Sequence, residues 1–201
     1  MNYSVIIAAA GKGTRMGLKY NKMFLPIDGG KTILEKTLSI FVDDPRCKQI
    51  IIVTNPEDIA KMIDRYQEGR ITYVMGGKTR QESVYHGLMA VKGDIVFVHD
   101  GARPWLPLSD INNLLEAMKT EKAAILGVKV VQTIKEVHHG YIKKTIPRQN
   151  IYQAQTPQAF ETKLLIECHQ KAEKVNFHAT DDAQLVENFS NVPIKMVEGS
   201  Y

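Results

Sequence analysis

The chain has 201 residues, of which 44% are hydrophobic and 24% charged, and its formal net charge is +4. These values suit one globular unit with a sizeable core and exclude a disordered or fibrous chain. The cationic excess is small and no basic stripe carries interleaved aromatics, so no nucleic-acid partner is expected.

The first apolar run, in MNYSVIIAAAGKG, has the length of a strand, and no basic segment with a long apolar stretch accompanies it. No signal peptide, membrane span or membrane partner is therefore expected, and the predicted location is cytoplasmic. In chain order, a strand over Ser4–Ala8 is followed by a helix over Thr32–Val42, with Ile33, Leu34, Thr37, Leu38 and Phe41 on one face. A strand over Ile50–Thr54 precedes a helix over Pro56–Tyr66, and a strand over Ile71–Val74 precedes a helix over Arg80–Val91. A strand over Ile95–Val98 then leads to a helix over Leu108–Lys119, whose face is Ile111, Leu114, Leu115 and Met118. After a strand over Ala123–Gly127 the rhythm breaks. Residues 129–145 are β-prone with a turn near His139-Gly140, which reads as a hairpin or extended arm. Beyond it come a strand-like stretch Ile151–Ala154, a helix over Glu161–Ala172, Asp181-Asp182 as N-cap and first-turn charge of an apolar helix, and a strand over Pro193–Val197.

This alternation implies βαβ units and an α/β fold with a mostly parallel sheet covered by helices on both faces. The expected organisation is a single domain over residues 1–201 with the arm at about 129–150. A lone hairpin is marginal in water, so the arm is expected to pack on another chain. Cys47 and Cys168, the only two cysteines, are far apart and read as core thiols of a reducing compartment.

The most informative stretch is Ala8-Ala9-Ala10-Gly11-Lys12-Gly13-Thr14-Arg15-Met16-Gly17, directly after the first strand. Small residues let the backbone approach an anion with its N–H groups, and Lys12, Arg15 and Lys22 add positive charge suited to a polyphosphate. A P-loop is absent, since Met16 stands where its second glycine belongs, and the same residue breaks the dinucleotide GxGxxG pattern. In Gly76-Gly77-Lys78-Thr79-Arg80-Gln81-Glu82-Ser83, glycines again precede a helix, and Ser83 is placed to bond a base or sugar. Taken alone, that segment reads equally well as a plain helix entry with a solvated Arg80. In Val98-His99-Asp100-Gly101-Ala102-Arg103-Pro104, Asp100 sits at a strand end, where it can help hold Mg²⁺ beside a triphosphate, and Arg103 can hold an anionic acceptor. His99 reads as a loop-shaping residue rather than a base. Thr133, Lys135 and Arg148 lie on or just beyond the arm.

Together these motifs resemble those of the 2-C-methyl-D-erythritol 4-phosphate cytidylyltransferase family of Gram-positive type. AAAGKGTRMG, Lys22, GGKTRQESVYHGL, VHDGARP, TIK, PRQNIYQAQTPQAF, TDDAQLVE and VEGSY stand in the family's order from Tyr3 to Tyr201. The resemblance implies a Rossmann-like fold akin to the nucleotide-diphospho-sugar transferases, and a homodimer joined by the arm. It implies CTP and a small phosphorylated polyol as substrates, a divalent cation such as Mg²⁺, and a step of non-mevalonate isoprenoid synthesis. By motif match, Ala9, Ala10, Gly11 and Gly13 belong to the CTP loop, and Arg15 and Lys22 to the triphosphate and its developing charge. Gly77 and Ser83 match nucleotide-binding positions, Asp100 and Arg103 the metal and acceptor side, and Thr133 and Arg148 acceptor contacts reaching across the dimer. This sequence departs from the family in Asn21 for the usual proline, Met23 for the usual glutamine and Gln132 for a frequent aspartate. The resemblance also implies an Asn-x-Lys stretch after VEGSY, at positions beyond Tyr201. The readings weighed against this one are a ribitol-phosphate or other alditol-phosphate cytidylyltransferase and a catalytically weak nucleotide-binding protein.

Overall fold

The structure is a computed structural model that describes residues 1–11 and 20–200. Its frame is a seven-stranded sheet of β1 (Tyr3–Ala8), β2 (Cys47–Thr54), β3 (Ile71–Met75), β4 (Ile95–Asp100), β5 (Ala123–Lys129), β8 (Tyr152–Glu161) and β9 (Lys195–Glu198). Their spatial order is β3-β2-β1-β4-β8-β5-β9. The pairs β1–β2, β1–β4, β2–β3 and β5–β9 are parallel, while β8 runs antiparallel to both β4 and β5.

Strand alternation sorts the core into two layers. Val5, Ile7, Ile50, Ile52 and Phe97 face α1 (Ile33–Val42), α2 (Pro56–Arg65) and α4 (Leu108–Ala117), whose Leu34, Phe41, Met62 and Leu114 are fully buried. Ile6, Ile51, Val53, Val96 and Val98 face α3 (Arg80–Leu88), α5 (Thr162–Lys174) and α6 (Asp182–Phe189) through Val84, Leu165, Cys168 and Leu185. The nearly continuous apolar runs of β1 and β2 follow from this, because both faces of a parallel sheet are covered. Cys47 and Cys168 are buried free thiols, as the composition suggested.

The elements read from the sequence are present, with one substantial correction. The sequence predicts strand only as far as Ala154, whereas β8 extends to Glu161 and lies inside the sheet between β4 and β5. Gln155, Thr156 and Gln158 interrupt the apolar pattern that marks a buried strand. Tertiary partners compensate for their burial: Gln158 reaches Asp181 and Ala183, and Thr156 reaches His99. The expected arm is β6 (Ile134–His138) paired antiparallel with β7 (Tyr141–Ile146) in a sheet of its own. It turns at His139 (φ 50°) and Gly140 (φ 84°), the positive-φ pair that suits the twist of a tight hairpin.

Candidate active site

The strand order reverses beside β1: β2 and β3 lie on one side of it and β4 on the other. In open α/β sheets this is where a crevice opens beyond the strand carboxyl ends. Ala8 and Asp100 pair across β1 and β4, and Gly101 N–H donates to the Ala8 carbonyl at 3.0 Å, which locks the two strand ends together. A cleft of ≈ 1170 Å³ opens there, and Ala10, Gly11, Lys22, Gly77, Ser83, Asp100 and Arg103 all line it. A second concavity of ≈ 840 Å³, around Ser4, Gln49 and Asp94, gathers none of the motif residues.

The loop after β1 is anchored from below. Ala9 is buried, its N–H donates to Val53 O at 2.8 Å, and its carbonyl accepts from Asn21 Nδ2 at 2.8 Å. Asn21 Nδ2 also donates to Asp58 Oδ2 at 2.9 Å, and Asn21 Oδ1 caps the short 3₁₀ turn Lys22–Phe24 by accepting from Met23 N–H. The asparagine that stands for the usual proline therefore ties the loop, Lys22 and α2 into one unit. Gly13 and Arg15 lie outside the described residues.

The second wall is the Gly76-Gly77 corner. A Cβ on Gly76 would lie 2.7 Å from Ala10 Cβ, and one on Gly77 would lie 2.3 Å from the Glu82 side chain, so neither position admits a larger residue without rearrangement. Ser83 is buried; its Oγ accepts from Gly77 N–H at 3.0 Å and donates to Thr79 O at 2.8 Å. Its proton is thus committed, and what remains toward the cleft is acceptor capacity. Thr79 and Glu82 cap α3 and complete the corner through Glu82 N–H to Thr79 Oγ1 and Lys78 N–H to Glu82 Oε2.

At the end of β4, Asp100 Oδ1 accepts from Arg80 Nε at 3.2 Å and Oδ2 from Arg103 Nε at 3.1 Å. Burial alone would raise the Asp100 carboxyl, but the two guanidiniums outweigh it and hold it below the usual carboxylate range. His99 beneath it is fully buried, and burial pushes its pKa down to about 4. The neutral ring donates from Nε2 to Arg103 O at 3.1 Å and accepts at Nδ1 from Thr156 Oγ1 at 3.0 Å, while Thr156 Oγ1 accepts from Asp100 N–H at 3.2 Å. His99 is thereby a link in a relay that sets the loop's shape. Arg80 is the residue that sequence reasoning missed: it is not a solvated helix entry, because it bridges Asp100 and the buried Asp182, 102 residues away. No spacing rule reveals a partner at that separation.

Among the described residues no group of three or more His, Cys, Asp and Glu gathers as a metal cage. Mg²⁺ characteristically takes one or two carboxylates and completes its shell with water and substrate phosphates. Asp100, the carboxylate at the end of β4, fits that demand, since each of its oxygens keeps acceptor capacity beyond its bond to arginine. Thr133 and Arg148 do not line the cleft of their own chain. Both are exposed at the base of the arm, where Arg148 Nη1 donates to Val131 O.

The sheet order and the cleft at its switch point define a Rossmann-like nucleotidyltransferase fold. The profile of the 2-C-methyl-D-erythritol 4-phosphate cytidylyltransferase family matches residues 3–201. A relative of that description from Geobacillus thermodenitrificans is 41% identical over 206 residues, covering 100% of this chain and 90% of the relative. One from Halalkalibacterium halodurans is 42% identical with the same coverage. The solved structure of 4-diphosphocytidyl-2C-methyl-D-erythritol synthase from Anaerococcus prevotii superposes with a TM-score of 0.86 at 32% identity, covering 100% of this chain and 90% of that one. The cytidylyltransferase from Francisella tularensis superposes at 0.85 and 34% identity, covering 100% of this chain and 91% of that one. The chain belongs to the 2-C-methyl-D-erythritol 4-phosphate cytidylyltransferase family.

Proposed function

We propose that this protein transfers CMP from CTP to 2-C-methyl-D-erythritol 4-phosphate, releasing pyrophosphate, in non-mevalonate isoprenoid precursor synthesis. The observation that carries this reading is the convergence of Ala10, Gly11, Lys22, Gly77, Ser83, Asp100 and Arg103 on one cleft of a chain that matches the family from end to end.

In the reaction an oxygen of the acceptor phosphate attacks the α-phosphorus of CTP in line. The bond from that phosphorus to the bridging oxygen breaks, and pyrophosphate leaves with the electron pair. The acceptor is already an anion, so the protein needs no nucleophile of its own; its task is to bring anions together and stabilise the charge that develops. The Ala9-Ala10-Gly11 loop receives the triphosphate: Ala9 anchors it, since its own N–H is donated to Val53 O, and the backbone N–H groups of Ala10 and Gly11, continued by Gly13, bind the phosphates. Arg15 and Lys22 neutralise charge on the α-phosphate and the leaving group. The Gly77 backbone receives the nucleoside, with Ser83 Oγ accepting from the cytosine amine. Arg103 binds the acceptor phosphate from its own subunit, and Thr133 and Arg148 bind it from the partner in an arm-joined homodimer. Asp100 would hold Mg²⁺ together with triphosphate oxygens, where the cation supplies charge neutralisation. The single-domain organisation, with residues 129–150 as an interface arm rather than a separate domain, belongs to the same reading, as does a cytoplasmic location. Among the described residues no helix is long and apolar enough to cross a membrane.

The test is pyrophosphate release from CTP with Mg²⁺, using methylerythritol phosphate and ribitol phosphate as separate acceptors. Release with the first alone is the expected result. Release with ribitol phosphate alone would keep the chemistry and overturn the pathway, and CTP binding without release would favour a non-catalytic nucleotide-binding protein.

A further inference from the structure

Arg80 opens α3 and lines the cleft, yet cytidylyl transfer as described leaves it without a task. Its guanidinium is held at both ends: Nε donates to Asp100 Oδ1 at 3.2 Å and Nη1 to Asp182 Oδ2 at 2.8 Å. The Asp182 side chain is only 1% exposed. The start of α6 that carries it is fastened to β8, because Gln158 Nε2 donates to Asp181 Oδ2 at 2.8 Å and Gln158 Oε1 accepts from Ala183 N–H at 3.1 Å. β8 in turn pairs with β4, the strand that ends in Asp100. The chain of contacts from β8 through α6 and Arg80 back to Asp100 is therefore closed.

This closure acts on geometry and on charge. An unanchored arginine samples many rotamers, whereas one tied to a buried carboxylate presents its Nε–H in one direction and fixes whatever accepts it. Charge balance matters as well. Arg80 divides its positive charge between Asp100 and the buried Asp182, so it does not serve Asp100 alone. Arg103, the other partner of Asp100, has a half-exposed side chain with no such backing among the described residues.

We propose that Arg80 and Asp182 are positioning residues for cytidylyl transfer: buried Asp182 fixes Arg80, and Arg80 sets the orientation of the Asp100 carboxylate in the cleft. The inference rests on the cytidylyltransferase reading. It predicts that Asp182→Ala, Asp182→Asn and Arg80→Lys lower kcat without a matching loss of CTP binding, since the Gly77–Ser83 corner is capped independently by Thr79 and Glu82. Arg80→Lys belongs in the set because a single ammonium does not reproduce a fork that spans two carboxylates, and because its partly exposed site makes this variant the one expected to fold if the Asp182 variants do not.

The experiment is a double-mutant cycle on the full-length protein, assayed below the melting temperature of every variant, with CTP affinity measured separately by calorimetry. The expected result is a fall in kcat of about tenfold or more for Asp182→Ala and for Arg80→Lys. With Asp100→Asn already present, the same changes should cost less than about twofold further, and the CTP Kd should stay within about twofold throughout. Losses that multiply in the Asp100→Asn background, or a CTP Kd that weakens in step with kcat, would mean that the pair only supports the fold and would overturn the inference. A wild-type protein that does not turn over CTP with methylerythritol phosphate would instead overturn the cytidylyltransferase reading, and this inference with it.

Discussion

Lys22 stands at the first position of a 3₁₀ turn that Asn21 caps and anchors to Ala9 and Asp58, so its ammonium is delivered to the cleft from a fixed base. In Lys22→Ala that base survives, and the loss should fall on the chemical step: kcat is expected to drop by about a hundredfold or more while the CTP Kd changes by only a few-fold. A preserved kcat in single-turnover measurements would remove Lys22 from the mechanism. Two histidines carry a different prediction. Burial pushes His99 and His169 down to about 4. In the unfolded chain each takes up a proton near pH 6.5, whereas in the folded protein it does so only near pH 4. Their stabilisation is complete above that upper value and is lost as pH falls through the window, by roughly 2 kcal/mol per histidine at pH 5. His169 Nε2 has no hydrogen-bond partner among the described residues, and its ring stacks on Tyr85 at 5.6 Å. His169→Phe should therefore be tolerated at pH 7.5 and should flatten the fall in denaturation midpoint toward pH 5. An unchanged pH slope in that variant would contradict the assignment. At this scale the sequence marked the cleft residues by type and spacing, but it did not reveal Arg80, whose meaning depends on Asp182 at a distance of 102 residues.

The two glycine-bearing walls of the cleft differ in a way that mutation can read. Among the described residues nothing lies within 4 Å of a would-be Cβ on Gly11, whereas one on Gly76 would meet Ala10 Cβ at 2.7 Å and Ser83 Oγ at 3.1 Å. Gly11→Ala should leave the melting temperature nearly unchanged and weaken CTP binding, because its methyl group would stand where the backbone must approach phosphate. Gly76→Ala should cost about 1–3 kcal/mol of stability by forcing the loop after β1 off the corner before α3. Equal destabilisation of both would argue that the first loop packs inward rather than facing a ligand. The same level explains where sequence reasoning worked. The helical faces of α1 and α4 were legible because Leu34, Phe41, Ile111 and Leu114 recur at helical spacing and do enter the core. β8 was legible only at its start, because its buried half carries Thr156 and Gln158, polar residues that a single-strand pattern counts against burial.

For the whole molecule, the arm carries the most exposed large hydrophobic side chain among the described residues. Tyr141 is 81% exposed and Ile142 66%, and β6 and β7 hydrogen-bond only to each other among the described residues. A two-stranded ribbon with apolar side chains in water is marginal unless something covers it. If the proposed homodimer covers it, Tyr141→Asp combined with Ile142→Asp should convert a dimeric mass in light scattering to a monomeric one. Activity should fall in the same variant, because Thr133 and Arg148 would no longer reach a neighbouring cleft. A wild-type mass that is monomeric at micromolar concentration would overturn both the arm-joined dimer and the partner's role at the site.

Composition and local pattern alone dictated the α/β alternation, the two-sided burial of the first strands, the hairpin at His139-Gly140 and the small-residue loop with its nearby cations. Each of these is a short-range property, readable from side-chain period, turn chemistry and charge within a few residues. Tertiary structure alone decided that β8 runs antiparallel between β4 and β5 and that the loops after β1, β3 and β4 meet at one cleft. It also decided that Asp100 is steered by an arginine braced on a buried carboxylate. Those outcomes depend on which distant polar groups satisfy one another once the strands are in register, and no local stretch of chain carries that pairing.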